Sequence, residues 1–347
     1  MTASDRRAGR TARPDRAVAL WLFACAALTF AIVVVGGITR LTESGLSIVE
    51  WQPLAGALPP LSQADWETLF AKYRETPQFQ KVFSDIGLEG FKRIFWWEYA
   101  HRLLGRVIGL VFLLPYLFFL IKGKLEKQLA WKLAGLFVLG GLQGALGWYM
   151  VKSGLVSDPR VSHFRLVAHL GLALLIFSAE FWLALGLLKE NSNKNPFALA
   201  VAGVVFLMAL SGGFVAGLRA GHAYNTFPLM NGRLIPDETF MLEPWWQNFL
   251  WNVATVQFVH RAIFWLLLLL VPLLFWKQKQ TTAAKFLLAM FALQASLGIA
   301  TLLNSVPIPL AAMHQAGAVL LLACALWTAH ASSASTPSAT NTAAAIR

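Results

Sequence analysis

Residues 98–121 read EYAHRLLGRVIGLVFLLPYLFFLI, and this stretch decides the fold. From Val107 to Ile121 it carries no charge. About 20 mostly apolar residues suffice to cross ~30 Å of hydrocarbon as a helix, so 99–121 predicts a membrane span. Working outward, blocks of the same kind lie near 17–39, 129–151, 165–188, 197–217, 256–276, 284–303 and 309–330. The expectation is an all-α integral membrane protein with eight spans. The first block is too long for the apolar core of a signal peptide, and Gly36-Gly37 lead into Thr39-Arg40 rather than a small-residue cleavage site.

Composition agrees. The chain has 347 residues, 57% hydrophobic and 13% charged, where soluble domains carry about 25% charged residues. A disordered chain and a disulfide scaffold are excluded, and an ordinary soluble enzyme is disfavoured. The net charge is +12, but the basic residues fall in short clusters between apolar blocks. That pattern suits anionic lipid headgroups rather than nucleic acid. Cys25 and Cys324 both lie inside apolar blocks and form no CxxC, which reads as buried, inert thiols.

The stretch 98–121 has a second copy. His101-Arg102 recurs as His260-Arg261, an offset of 159. Upstream, Gly36-Gly37 recurs as Gly212-Gly213, and the same offset of 176 maps Gly45 to Gly221, Trp51 to Phe227 and Pro60 to Pro236. Downstream, LQGALG at 142–147 recurs as LQASLG at 293–298, and His169 recurs as His314. Order never breaks, so the chain reads as two tandem four-helix bundles related by an axis along the membrane normal. The expected organisation is a basic tail 1–16, a first half 17–188, a linker 189–196, a second half 197–330 and a disordered tail 331–347.

Short basic loops stay in the cytoplasm. The tail with Arg6, Arg7, Arg10, Arg13 and Arg16, and the loops with Lys122, Lys124 and Lys127, with Lys189 and Lys194, and with Lys277, Lys279 and Lys285, put both termini inside. Loops 40–98 and 218–255 then face outward. Residues 62–97 mix charge with WETLFAKYRETPQF and GFKRIFWW, which predicts short amphipathic surface helices that could cover the first-half pocket.

Four of the seven histidines are repeat-related: His101, His169, His260 and His314. Each falls near the outward end of an even-numbered span. In each half they lie on the second and fourth helices, so two imidazoles can bracket one iron from both faces, as bis-imidazole ligation of a haem requires. Polar side chains are costly in a membrane and are usually functional there. Interhelical hydrogen bonding, proton translocation and, more weakly, zinc compete with that reading. Arg102 and Arg261 could meet haem propionates or face headgroups.

The copies differ at one place. Glu98 precedes His101 by one turn, whereas Gln257 stands before His260. A carboxylate beside a porphyrin can accept a proton or stabilise positive charge. The first half therefore reads as the reactive site and the second as a bound cofactor that relays electrons. Of the remaining histidines, His163 lies about 240° round a helix from His169 and reads as a loop or interface residue; His222 and His330 receive no role. Glu180 follows His169 by three turns and is expected within reach of cytoplasmic water. Gln143 and Gln294 are expected to hydrogen-bond between helices. A diheme quinol-oxidising cytochrome b would use the same four histidines without the Glu98/Gln257 asymmetry, and a haem-carrying assembly protein would need no chemistry.

GGITRLTESGLSIVEW at 36–51, EYAHRLLGR at 98–106, HFRLVAHL at 163–170, AYNTFPLMNG at 223–232 and MHQAG at 313–317 resemble the haem A synthase family over about residues 17–330. The resemblance implies oxidation of the C8 methyl of haem O to a formyl group by two successive hydroxylations. It implies a b-type haem on His260 and His314, and substrate haem O between His101 and His169 with Glu98 beside it. It further implies a bacterial inner membrane, a haem O synthase and an electron donor or acceptor as partners, and it allows an oligomer. Some members carry a cysteine pair in an outer loop; neither long loop here has a cysteine. That places the chain near the branch shared by proteobacteria and mitochondria.

Overall fold

The computed structural model describes residues 16–52, 55–155, 159–188 and 195–331. Eight of its helices are long and apolar enough to cross a membrane. They are α1 (Arg16–Leu41), α2 (Leu88–Ile121), α3 (Lys127–Gly154), α4 (His163–Leu188), α5 (Pro196–Gly217), α6 (Val253–Gln278), α7 (Thr282–Leu303) and α8 (Ile308–Ala331). Several starts are set by local chemistry. Asn195 accepts from the amides of Phe197 and Ala198 with Pro196 at the first helical position, and Thr281 and Asn252 cap α7 and α6 in the same way.

Neighbouring helices close two rings: α1–α2–α3–α4 and α5–α6–α7–α8. The rings meet through α1, α4, α5 and α8, and one apolar core runs across that seam, including Val33, Phe177, Val205, Leu274, Phe291 and Leu322. In a bilayer, lipid is as apolar as leucine, so close packing of small and apolar residues holds helices together rather than escape from water. Leu114, Phe118, Leu269 and Trp276 accordingly stay on the outer surface. Arg40 of α1 donates to the carbonyl of Ala216 of α5 at 2.7 Å; by the offset of 176, these two positions are copies of each other.

Three expectations need correction. The second span does not start at 99: α2 begins at Leu88 and absorbs GFKRIFWW. Phe91, Phe95 and Tyr99 recur at intervals of four and bury one stripe against Trp66 and Tyr73, which carries the helix beyond its apolar block. Only Gln63–Arg74 and Pro77–Lys81 remain as short helices of that loop. His101 thus lies 13 residues into its helix, although His169, His260 and His314 keep to the first two turns or so of theirs. Finally, Glu180 does not reach water. It is 1% exposed and accepts from Thr29 Oγ1 at 2.9 Å. The basic residues of 1–15, the linker Lys189 and Lys194, and the tail 332–347 lie outside the described residues.

Candidate haem site

The site begins with four glycines. Each repeat-matched histidine lays its ring against a glycine of a neighbouring helix. A Cβ at Gly36 would lie 2.9 Å from His101 Nε2, and one at Gly147 would lie 3.0 Å from His169 Cε1. In the second half, a Cβ at Gly212 would lie 3.3 Å from His260 Cε1, and one at Gly298 would lie 2.7 Å from His314 Cε1. Gly36 and Gly212 are copies, as are Gly147 and Gly298. Any side chain there would push the imidazole away, so the glycines let each ring lie in the seam between two close backbones.

The fourth-helix histidines are set by matched bonds. Gln143 Nε2 donates to the carbonyl of His169 at 2.9 Å, and Gln294 Nε2 donates to that of His314 at 2.9 Å. The interhelical role expected of both glutamines is thus observed. His101 and His169 lie within electrostatic range of one another, as do His260 and His314. Nδ1 of His169 is buried without a hydrogen-bond partner among the described residues.

The second-helix neighbourhoods share a frame but differ in charge. Arg102 Nη2 donates to the carbonyl of Ile48 at 2.8 Å, and Nη1 to that of Glu50 at 3.2 Å. Arg261 makes the copied bonds, to Tyr224 at 2.9 Å and Thr226 at 2.9 Å, and reaches Pro228 and Leu229 as well. Each arginine ties the loop that precedes its helix to that helix. Glu98 is 2% exposed and accepts from Ser47 Oγ at 2.7 Å, the Ile48 amide at 2.8 Å and Arg102 Nη2 at 2.5 Å. Gln257, 3% exposed, instead donates to the carbonyls of Ala220 and Tyr224 at 3.0 and 3.3 Å and accepts from Arg261 at 3.4 Å. The carboxylate is therefore built into a donor niche that its copy lacks.

At the loop edge, Trp51 and Trp148 meet at 6.4 Å and line a cavity of about 230 Å³ with Val49, Arg102 and Lys152. Beside it, the Lys72 ammonium donates to Glu50 at 2.5 Å and holds that carboxyl below its usual range. His163 opens α4, is 6% exposed and packs against Trp251 and Phe214 where the rings meet, an interface position as expected. His222 sits in a short exposed turn, and the buried His330 lies edge-on to Trp182.

Among the described residues, no three His, Cys, Asp or Glu side chains gather closely enough to hold a bare metal ion. Two imidazoles per half suit a group that brings its own equatorial ligands, as a porphyrin does. The glycine cradles, repeated in both halves, fit such a group.

Residues 19–326 match the family model of the COX15-CtaA cytochrome oxidase assembly proteins. The chain belongs to that family. It is 57% identical over 333 residues to the haem A synthase of Nitrosospira multiformis, covering 91% of this chain and 93% of the relative. It is 52% identical over 327 residues to that of Nitrosomonas eutropha, covering 89% and 92%. Against that of Parvibaculum lavamentivorans it is 49% identical over 330 residues, covering 92% and 96%. Sequence reasoning missed two members of this site. Ser211 lies 2.7 Å from His260 Nδ1, and Gln315 crosses between the rings to donate to the carbonyl of Val33 at 2.6 Å. The first was detectable as the Ser-for-Val difference one residue before the matched glycine pairs. The second left no repeat signal.

Proposed function

We propose that this chain makes haem A from haem O, the activity carried in its relatives' name. With water as the oxygen source, each of two hydroxylations breaks one C–H bond of the C8 methyl, forms one C–O bond and passes two electrons to a redox partner and two protons to solvent; the geminal diol then loses water to leave the formyl group. The first half, 17–188, takes the substrate haem O between His101 and His169. The second half, 197–330, holds a b-type haem through His260 and His314. That haem supplies one-electron transfer when bound.

The observation that carries this reading is one difference within a shared frame. Both halves have the paired histidines, the glycine cradles and the arginine-to-loop bonds, but only the first has a buried carboxylate one turn from its histidine. A plain diheme electron carrier gives no reason for that difference. Glu98 and Arg102 form a polar cluster at the substrate end, where a fixed negative charge can accept a proton from the reacting carbon or stabilise charge developing there. Arg261 performs the matching loop-holding task beside the resident haem.

The basic short loops support a bacterial inner-membrane location with both termini in the cytoplasm, so that both histidine pairs lie toward the outer face. Anionic lipids would contact the basic loops. A haem O synthase must supply the substrate, and a redox partner must complete the electron balance. The deciding test compares pigments extracted from cells with and without the gene. Haem O should replace haem A when the gene is removed; an unchanged haem A content overturns the enzymatic reading.

A further inference from the structure

The two second-helix histidines are held differently. Ser211 Oγ lies 2.7 Å from His260 Nδ1 and 2.8 Å from the carbonyl of Met208. A hydroxyl has one proton. The carbonyl can only accept, so the Ser211 proton goes to Met208 and the imidazole Nδ1–H donates to Ser211. That leaves the lone pair of His260 on Nε2, the tautomer of an Nε2-ligating imidazole whose ring is fixed by its other nitrogen. By the offset of 176, the copy of Ser211 is Val35, which has no hydroxyl. The rings also lie differently. His101 turns its Nε2–Cδ2 edge toward Gly36, at 2.9 and 3.3 Å from a Cβ there, whereas His260 turns Cε1 and Nδ1 toward Gly212. His169 and His314, in contrast, both turn Cε1 toward their glycine. The asymmetry is confined to the second helix of each half.

This difference matches what two haems would need. A resident cofactor must stay through every turnover, while a haem substrate must enter and leave. The geometry points to Ser211 as a positioning residue that fixes His260 as a permanent axial ligand, and to Val35 as the matching omission that leaves His101 free to turn for substrate exchange. This inference rests on the haem assignment of the two halves given above.

The test uses the purified full-length protein and four variants. Ser211→Ala keeps a good helix former in α5, so the fold should survive. Haem B should then transfer to apomyoglobin on the order of 10–100-fold faster, as loss of an outer-shell partner typically does to metal affinity. The midpoint potential of that haem should rise, because donation from Nδ1–H makes the imidazole a stronger donor and favours ferric iron. Ser211→Thr, which keeps the hydroxyl, should restore both values. Val35→Ser should raise the amount of haem O or haem A that co-purifies and slow its release. Unchanged haem B transfer and potential in Ser211→Ala would overturn the role of Ser211, and unchanged retention in Val35→Ser would overturn that of Val35. His260→Ala separates the layers. If it keeps a full low-spin haem B signal, the haem assignment itself has failed; if it loses that signal while Ser211→Ala is unaffected, only the positioning role has.

Discussion

Gly298 of α7 and His314 of α8 approach so closely that a single added methyl group would fall 2.7 Å from the imidazole Cε1. The same is true, slightly less tightly, of Gly147 and His169. Four such pairs, two in each half, define where the rings stand. The glycines therefore shape the pocket as much as the histidines do.

Gly298→Ala should displace His314 and cost the second half its haem. Overpacking of this kind typically costs about 1–3 kcal/mol, which a helix bundle can survive, so the protein should still be made. Its low-spin haem B absorption should fall well below that of the parent. Gly144→Ala is the control, because nothing lies within 4 Å of a Cβ there. Equal haem content in the two variants would refute the cradle.

Arg261 is half a loop anchor and half a neighbour of His260. Its guanidinium donates to four carbonyls of 224–229 and to Gln257. Arg261→Leu strands those carbonyls, and bonds to charged groups contribute about 1.5–3 kcal/mol each. Limited proteolysis within 224–235 should accelerate and the unfolding midpoint should drop. Haem B content should fall less than in His260→Ala. A larger haem loss with an intact loop would make Arg261 chiefly a haem contact.

The fold was largely legible because the membrane limits the choice. Eight apolar blocks permit eight helices, and the repeat pairs them. Boundaries failed where side chains outside the apolar block chose the structure, as Phe91 and Phe95 did in lengthening α2 by packing on Trp66. At the site, the histidines and Gln143 and Gln294 could be found by matching copies. The bonds of Arg102 and Arg261 could not, since their acceptors are backbone carbonyls with no residue signature. Gln315 is similar: its partner, the carbonyl of Val33, lies 282 positions away.

Topology can be checked directly. A reporter active only outside the cytoplasm should be silent when fused after Lys279 and active when fused near Gly232. The reasoning is the retention of short basic loops inside. The reverse pattern would invert the protein and turn both histidine pairs toward the cytoplasm.

Glu98→Gln addresses the chemistry. Gln257 shows that an amide fits the copied niche, where it donates to the Ala220 and Tyr224 carbonyls and accepts from Arg261. In the first half, an amide can still accept from Arg102 through its oxygen, and its NH₂ can turn to the Ser47 hydroxyl. It cannot accept the Ile48 amide as well, so a modest stability loss is expected, about 1–3 kcal/mol for one stranded donor. The larger effect should fall on turnover. If the negative charge stabilises an electron-poor methyl carbon or takes its proton, its removal should slow haem A formation by about 10²–10⁴-fold. Haem O, with some singly hydroxylated product, should accumulate, while haem B in the second half keeps its low-spin spectrum. The two effects separate by measurement: unfolding midpoint and haem B content report the niche, and the haem O to haem A ratio reports the chemistry. Gln257→Glu should not create a second reactive site, because Ala223 stands where the first half has Ser47 to donate to the carboxylate. Normal haem A production by Glu98→Gln would leave Glu98 as a clamp on the loop after α1 and nothing more.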